Sequence, residues 1–166
     1  MGAQGTRAID AARRAGLPHT VHAYGHDKRA SLKAGGRGFA LEAVDALGID
    51  PARVFKTIVV ACDGKLGLVV VPADSEVDLK AAADALGGRR AVIADPADAE
   101  RATGYVLGGI SPLGTRRPLP VVVDASATAF PTIHVSAGQR GLEIELAAAD
   151  LVRVSQGRLA PVARRG

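Results

Sequence analysis

The sequence is poor in the features on which several classes of protein depend. It contains one cysteine, Cys62, so no intramolecular disulfide can form, which agrees with a reducing cytoplasm. No apolar run approaches the roughly 20 residues that cross a bilayer. The first fifteen residues carry four charged side chains and no long apolar segment, unlike a signal peptide. We therefore expect a cytoplasmic protein without a membrane partner.

Aromatic residues are also scarce, since they make up 3% of the chain and form no cluster in the sequence. Proteins that stack the bases of single-stranded nucleic acids need such a cluster. The net charge of +4 is carried mainly by arginine, with neighbouring pairs at 13–14, 89–90, 116–117 and 164–165. Paired arginines can hold phosphates without reading a base sequence, but a solvated basic surface explains them equally well. Any nucleic acid would thus be held by its backbone and one end.

The length of 166 residues suits one domain, spanning 1–166, around a single core. Apolar periodicity predicts helices over 6–15, 39–47 and 79–86, and Asp95 followed by Pro96 predicts the start of a fourth. Apolar or alternating runs predict strands at 20–24, 54–61, 66–71, 91–94, 121–124, 133–136 and 142–146.

The connections complete this prediction. Asp63 and Gly64 are typical of a tight hairpin turn between two strands. Residues 25–38 and 104–114 are predicted to be loops, and 151–163 a short strand and tail. Because many strands follow one another without a helix between them, the order favours an α+β domain with a mixed, curved sheet.

Several catalytic motifs are missing. The chain has no Walker loop and no Gly-x-Gly-x-x-Gly fingerprint. His22 and His26 fall where a strand runs into a loop, so they would stand about 13 Å apart, and we expect no metal site. Ser111 does not lie in a nucleophile elbow. Cys62 ends an apolar strand, where a small buried hydrophobe is expected rather than a reactive thiol.

Lys56 and two glycine-containing loops remain as candidates for chemistry. Lys56 shares a strand face with apolar residues, where an ammonium is costly unless it meets an anion or a developing oxyanion. A lysine whose stem covers the core while its head reaches water is an equal alternative. The loops at 108–114 and 136–141 could present backbone N–H groups to a ligand, or could be plain hairpin loops. Together the three features describe a site that polarises a carbonyl without a protein nucleophile.

The amino-acid sequence of these segments resembles that of the YbaK family of trans-editing deacylases, which is related to the insertion domain of bacterial prolyl-tRNA synthetase. The resemblance runs from about residue 17 to residue 163. It is carried by VFKT at 54–57, TGY at 103–105, GGISPLG at 108–114, VS at 135–136, Gly138, and RGL at 140–142.

The resemblance implies a mixed, barrel-like sheet of about six to seven strands with flanking helices. It also implies a pocket for the aminoacylated end of a tRNA, with no cofactor, no metal and no DNA partner. Lys56 matches the family lysine, which would be the catalytic residue. The other positions that the resemblance places in substrate binding are Tyr24, Thr57, Gly108, Gly109, Ile110, Ser111, Pro112 and Ser136.

The substrate that the resemblance implies is cysteine attached to the proline or cysteine tRNA. In that branch the substrate's own thiol attacks the ester and leaves as a cyclic thiolactone, while Lys56 and the loop amides orient the ester. Three positions depart from the family pattern: Ala137, His134 and Glu143, the last standing where an aspartate is usual. The loop at 28–38 is a few residues longer, which bears on substrate range.

Two rival functions stay open at this point. One is deacylation of alanyl-tRNA(Pro), which needs an external nucleophile because alanine has no thiol. The other is a non-catalytic tRNA or nucleotide binder with a regulatory role. We expect Arg116, Arg117 and Arg140 to contact the tRNA, and prolyl-tRNA synthetase to be a transient partner.

Overall fold

The structure, a computed structural model, describes residues 5–25 and 38–165. Within these residues five α-helices follow the order α1 (Arg7–Arg14), α2 (Gly38–Leu47), α3 (Leu79–Ala85), α4 (Pro96–Thr103) and α5 (Ala148–Ser155), with a 3-10 helix at Ala125–Ala129. The described part contains no helix long and apolar enough to cross a membrane.

Side chains cap three of the helices at their first turn. Thr6 accepts a hydrogen bond from the backbone N–H of Ile9, and Asp78 accepts one from Ala81. Asp95 accepts one from Ala97, with proline at the next position, so the predicted start of α4 is confirmed. Each cap satisfies a backbone donor that the helix itself leaves without a partner.

Ten strands lie in the described residues. They are β1 (Thr20–Ala23), β2 (Phe55–Cys62), β3 (Lys65–Pro72), β4 (Ser75–Val77), β5 (Ala91–Ile93), β6 (Val121–Asp124), β7 (Ile133–Gln139), β8 (Leu142–Leu146), β9 (Arg158–Ala160) and β10 (Ala163–Arg165). The seven strands predicted between residues 20 and 146 are confirmed as β1, β2, β3, β5, β6, β7 and β8, and the remaining strands, β4, β9 and β10, have three residues each.

The larger sheet has the order β5-β2-β3-β6-β9. The β2–β3 hairpin pairs along its whole length, from Phe55 with Pro72 to Cys62 with Lys65. Asp63 and Gly64 both have positive φ, as a two-residue hairpin turn requires, so the predicted turn is confirmed. Since β3 and β6, and β6 and β9, pair in parallel while the other pairs are antiparallel, the predicted mixed α+β sheet is also confirmed.

A smaller sheet has the order β1-β8-β7, and β4 pairs separately with β10. A single bridge between Val54 and His134 joins the start of β2 to β7. This bridge brings the first residues of β2 beside β7, at the edge of the smaller sheet. The main core lies where the sheets meet α1 and α5, around fully buried residues that include Ile9, Phe55 and Leu151.

Two predicted segments differ from the structure. The sequence predicts a strand and tail over 151–163, but α5 covers 148–155 and β9 and β10 follow it. Helix α5 forms because Ala148 and Leu151 bury one of its faces, although Ala147 provides no side-chain cap. Strand β4 is not predicted, because only one of its three residues, Val77, is apolar. The loop predicted at 25–38, including its longer part at 28–38, lies almost entirely outside the described residues.

Candidate functional site

A cavity of about 310 Å³ opens where the start of β2 meets the smaller sheet and the loop after α4. Its volume is at the lower end of the range for ligand sites. The residues that line it are Tyr24, Ala40, Phe55, Lys56, Thr57, Ile58, Leu107, Gly108, Ile110, Ser136 and Glu143. Six predicted site residues therefore line the same cavity: Tyr24, Lys56, Thr57, Gly108, Ile110 and Ser136.

Strand β2 supplies the lysine and the threonine. Lys56 is half-buried and pairs across the hairpin with Val71, one residue after the first pair of the ladder. The Thr57 hydroxyl oxygen is buried and has no hydrogen-bond partner among the described residues. A buried hydroxyl without a partner is costly, and a ligand in the cavity could supply the missing bond.

Ser136 enters the cavity at a bulge in β7. The ladder between β7 and β8 shifts register between Ser136 and Gln139. The Ser136 hydroxyl accepts a hydrogen bond from the backbone N–H of Gly138 at 3.1 Å. Gly138 has a φ of 99°, in the left-handed region that favours glycine. The bulge thus places one serine in the cavity that Lys56 also lines, as bulges beside active sites often do.

Among the titratable residues that line the cavity, Glu143 is the one that sequence reasoning did not assign to the site. It is 5% exposed, and one of its carboxyl oxygens has no hydrogen-bond partner in the described part of the chain. Burial raises the pKa of Glu143 to about 8, so the carboxyl is mostly protonated at neutral pH. The available signal was the alternation in LEIEL at 142–146, which places two acids on one face of β8.

Tyr24 closes the cavity beside this carboxyl. Its backbone N–H donates to the carbonyl of Gly141 at 2.9 Å, which continues the pairing of β1 with β8. Burial, and then the charge of Glu143, raise the pKa of the Tyr24 hydroxyl well above its usual value. The phenol therefore stays protonated and can act as a hydrogen-bond donor over the whole physiological pH range.

Only some residues of the glycine loop at 108–114 line the cavity, and the others pack behind it. Gly108 and Ile110 line the cavity. Gly109 instead packs against the β7–β8 turn, where an added Cβ would lie 3.0 Å from the Cα of Gln139. Ser111 is fully buried and accepts a hydrogen bond from the backbone N–H of Leu113, and Pro112 borders a different depression. Gly109, Ser111 and Pro112 thus shape the loop without lining the cavity.

The three arginines predicted to contact tRNA fall in two places. Arg140 lies at the cavity rim, where its Nε donates to the carbonyl of Leu107 at 3.0 Å. Arg116 and Arg117 are exposed, and Arg117 borders an open depression that also includes Lys65 and Arg101. That depression lies at the β2–β3 turn, at the other end of β2 from the cavity.

A second group of polar side chains lies next to the cavity, on β1, β7 and β8. It consists of His22 on β1, His134 on β7 and Glu145 on β8, whose nearest ligand atoms all lie within 4.8 Å of one another. His26, which stands four positions after His22 in the sequence, lies outside the described residues. Cys62 is buried at the end of β2, as predicted.

Comparison with known proteins adds to this geometry. Residues 39–154 match the aminoacyl-tRNA editing domain family. The chain is 38% identical over 120 residues to EbsC of Enterococcus faecalis, a candidate Cys-tRNA(Pro)/Cys-tRNA(Cys) deacylase, and the match covers 71% of this chain and 73% of that protein.

Two further relatives and one solved structure are also similar to this chain. Over 93 residues the chain is 34% identical to the multifunctional Ser/Thr-tRNA deacylase ProXp-y of Escherichia coli, covering 55% of this chain and 56% of that protein. Over 135 residues it is 32% identical to a proline–tRNA ligase of Acidithiobacillus ferrooxidans, covering 75% of this chain and 24% of the ligase. The crystal structure of a candidate trans-editing enzyme for prolyl tRNA synthetase has the same fold, with a TM-score of 0.77, 21% identity, and 96% of each chain covered.

Proposed function

The chain belongs to the aminoacyl-tRNA editing domain family, and we propose that it is a trans-editing deacylase that removes mischarged cysteine from tRNA(Pro). Cys-tRNA(Cys) is a second substrate within the same proposal. The observation that carries it is the cavity beside Lys56, in which the buried oxygens of Thr57 and Glu143 have no hydrogen-bond partner among the described residues. Because charged tRNA is present in the cytoplasm, we place the activity there.

The size of the cavity supports a small aminoacyl group. About 310 Å³ accommodates a cysteinyl ester with part of the terminal ribose, while the rest of the tRNA stays outside. The walls are apolar at Phe55, Ile58 and Ile110, and polar at Lys56, Thr57 and Glu143. Such a site can hold both the side chain of the amino acid and its ester and α-amino group.

The reaction we propose needs no protein nucleophile. The sulfur of the substrate attacks the ester carbonyl, so a carbon–sulfur bond forms and the bond from that carbon to the ribose oxygen breaks. The thiol proton ends on the departing ribose oxygen, and the product is a cyclic thiolactone. Lys56 and the backbone N–H of Gly108 stabilise the oxyanion, and holding thiol and carbonyl together supplies much of the rate.

Glu143 and Thr57 take part in binding within this proposal. The α-amino group of the substrate is a donor, and the buried oxygen of Glu143 is an acceptor at the cavity wall. Pairing with an ammonium ion would offset the cost of ionising this buried carboxyl. The Thr57 hydroxyl would bond to the ester or the ribose. The bond to Glu143 forms only when an aminoacyl group is present, which favours charged over uncharged tRNA.

The partners follow from the same geometry. The aminoacylated end of the tRNA enters the cavity, with Arg140 at the rim and the Arg116–Arg117 pair available to the backbone further away. Prolyl-tRNA synthetase is the proposed transient partner, since it produces the mischarged tRNA(Pro). A release of serine is the second candidate function, and the similarity to a Ser/Thr-tRNA deacylase favours it.

The test is release of labelled amino acid from Cys-, Ser-, Ala- and Pro-tRNA(Pro). We expect cysteine to be released and proline to be spared, with Lys56→Ala lowering the rate by at least about 100-fold. Lys80→Ala is the matched control, because Lys80 is exposed on α3, away from the cavity.

Each outcome has a distinct meaning. Cysteine release that exceeds serine release by about 100-fold or more supports the substrate thiol as nucleophile, since the two substrates differ chiefly in that atom. Equal release of serine or alanine would contradict the thiol mechanism and require an external nucleophile. No release from any substrate, with tRNA still bound, would contradict the deacylase and support a binding role.

A further inference from the structure

Strands β7 and β8, and β1 with the residue that follows it, each provide one residue to the cavity and another, two positions away, to a second polar cluster. The pairs are Tyr24 and His22 on the β1 side, Ser136 and His134 on β7, and Glu143 and Glu145 on β8. Residues two apart on a strand point to the same face of a sheet. The group of His22, His134 and Glu145, which we term the His-His-Glu cluster, therefore lies beside the cavity on the same face.

The atoms of the His-His-Glu cluster are close together. The Nε2 of His22 lies 2.8 Å from a carboxylate oxygen of Glu145, and the two imidazole rings have their centres 5.1 Å apart. One ligand atom from each of the three side chains lies within 4.8 Å of the other two. Two imidazoles and a carboxylate form a donor set that zinc and related transition metals prefer.

His134 gives an independent reason to expect a ligand here. The residue is 3% exposed, and its Nδ1 has no hydrogen-bond partner among the described residues. Its backbone N–H donates to the carbonyl of Arg53 at 2.9 Å, so the main chain is satisfied while the ring is not. A buried polar atom without a partner is rare in folded proteins and costs free energy unless something binds it.

Glu145 is already oriented by its neighbours. One carboxylate oxygen accepts a hydrogen bond from the Thr132 hydroxyl and lies 3.5 Å from the guanidinium of Arg53. The other oxygen faces His22. Metal-binding carboxylates are usually held by such outer hydrogen bonds, which fix one oxygen and leave the other for the ion. Arg53 also donates to Thr132, so its charge lies on the side of the carboxylate away from His22.

We propose that His22, His134 and Glu145 bind a divalent first-row transition ion, with Zn²⁺ as the ion of first choice. Bonds of about 2.0–2.2 Å to zinc place tetrahedral ligand atoms about 3.4 Å from one another. Binding would therefore replace the hydrogen bond between His22 and Glu145, whose 2.8 Å separation would increase, and would bring ligand atoms that lie further apart closer together. A water molecule would complete the coordination. Magnesium and calcium do not suit this donor set, because they prefer oxygen donors throughout.

The ion would have a structural role. It would join β1, β7 and β8, and each ligand stands two residues from a cavity residue, so the ion would hold that cavity wall in place without touching the reacting atoms. The Arg53 guanidinium lowers the affinity for a cation, since it is a positive charge near Glu145. The inference is independent of the deacylase activity, because binding can be measured without tRNA.

The experiment is calorimetric titration of tag-free, chelator-treated protein with zinc chloride, repeated with Co²⁺ followed by visible absorption. We expect one ion per chain. His22→Gln and Glu145→Gln should each lower the affinity by at least about 100-fold, and Thr132→Val by about 10–100-fold, as outer-shell changes do. His19→Gln is the matched control and should bind normally, since His19 bonds to the carbonyl of Leu17, outside the His-His-Glu cluster.

Arg53→Gln separates a metal site from a network of hydrogen bonds and ion pairs. Loss of the positive charge should strengthen Zn²⁺ binding several-fold if the ion binds at Glu145. The proposal would be overturned if the wild-type protein binds no zinc, or if the His22→Gln and Glu145→Gln proteins bind zinc with the same affinity as the wild type. Thermal melting of each apo variant verifies that the protein is folded. A loss of metal binding in a folded variant then shows that the site itself has been removed.

Discussion

The ring of Tyr105 occupies the space where Gly138 would carry a side chain. An added Cβ on Gly138 would lie 2.8 Å from Cε1 of Tyr105. The hydroxyl of the same tyrosine donates to the carbonyl of Leu113 at 2.6 Å. One buried side chain therefore braces both the bulge of β7, which presents Ser136, and the end of the glycine loop, which presents Gly108. The two walls of the cavity are coupled through it.

We predict that Gly138→Ala destabilises the protein by about 2–4 kcal/mol, because the substitution adds a clash with Tyr105 to the strain of a positive φ. Gly16→Ala is the matched control. Gly16 also has a positive φ, of 66°, but nothing lies within 4 Å of its added Cβ, so it should cost only about 1–2 kcal/mol. Urea denaturation of both variants measures the difference, and equal losses would contradict the role of Tyr105.

Tyr105→Phe should lower the free energy of unfolding by about 0.5–1.5 kcal/mol, since it removes the hydrogen bond to Leu113 while keeping the ring. Burial raises the pKa of the Tyr105 hydroxyl to about 12, so the loss should be the same at neutral and mildly alkaline pH. Thermal melting at both pH values provides the measurement. A loss that disappears at the higher pH would show that the hydroxyl had ionised.

Glu143 should make stability fall as pH rises. Its pKa is about 8 in the folded protein and near 4.3 when unfolded, so the unfolded chain releases this proton first. The contribution is fully present below about pH 4 and is lost progressively up to about pH 8, on the order of 3–5 kcal/mol in total. Glu143→Gln removes the titrating group.

The measurement is urea denaturation of both proteins at about pH 5 and about pH 9. The wild type should lose several kcal/mol more than Glu143→Gln between these values. Taking the difference between the two proteins cancels the other titrating groups, including His134, whose pKa burial lowers to about 4. Parallel losses would mean that Glu143 has an ordinary pKa.

Arg116 and Arg117 should affect only the binding of tRNA, whereas Arg140 should also affect deacylation. Arg116→Gln together with Arg117→Gln should weaken binding and reduce the slope of log affinity against log salt by about one for each phosphate that the variant no longer neutralises. Arg140→Gln should also slow deacylation, because Arg140 holds the carbonyl of Leu107 at the cavity rim. Arg153→Gln, on α5, is the control for charge alone. An unchanged slope in the double variant would remove the pair from the interface.

Much of the local structure could be predicted. The β2–β3 turn follows from Asp63-Gly64, and α4 from Asp95 with Pro96. These signals depend on residues within a few positions of each other. Helix α5 could not be predicted in the same way, because its valines disfavour helix and Ala147 gives no cap. Its helical form depends on burying Ala148 and Leu151 against the core.

The candidate site, like the fold, was predictable only where the signal is local in the sequence. The apolar surroundings of Lys56 and the glycine loop after Tyr105 marked them as candidates, and the structure places Lys56 and Gly108 in one cavity. The alternation in LEIEL places Glu143 and Glu145 on one face of β8, but it does not show that this face borders the cavity. The meeting of His22 with Glu145 could not be predicted, since 123 positions separate them.

The sequence by itself therefore determined the fold class, the turns and caps, and the segments from which a site could be built. Only the tertiary structure decided which side chains meet. The physical reason is that β1 pairs with β8, and β8 with β7, in a register set by the packing of the whole sheet. A shift of one residue would turn Glu143 away from the cavity and His22 away from Glu145, although every local pattern would be unchanged.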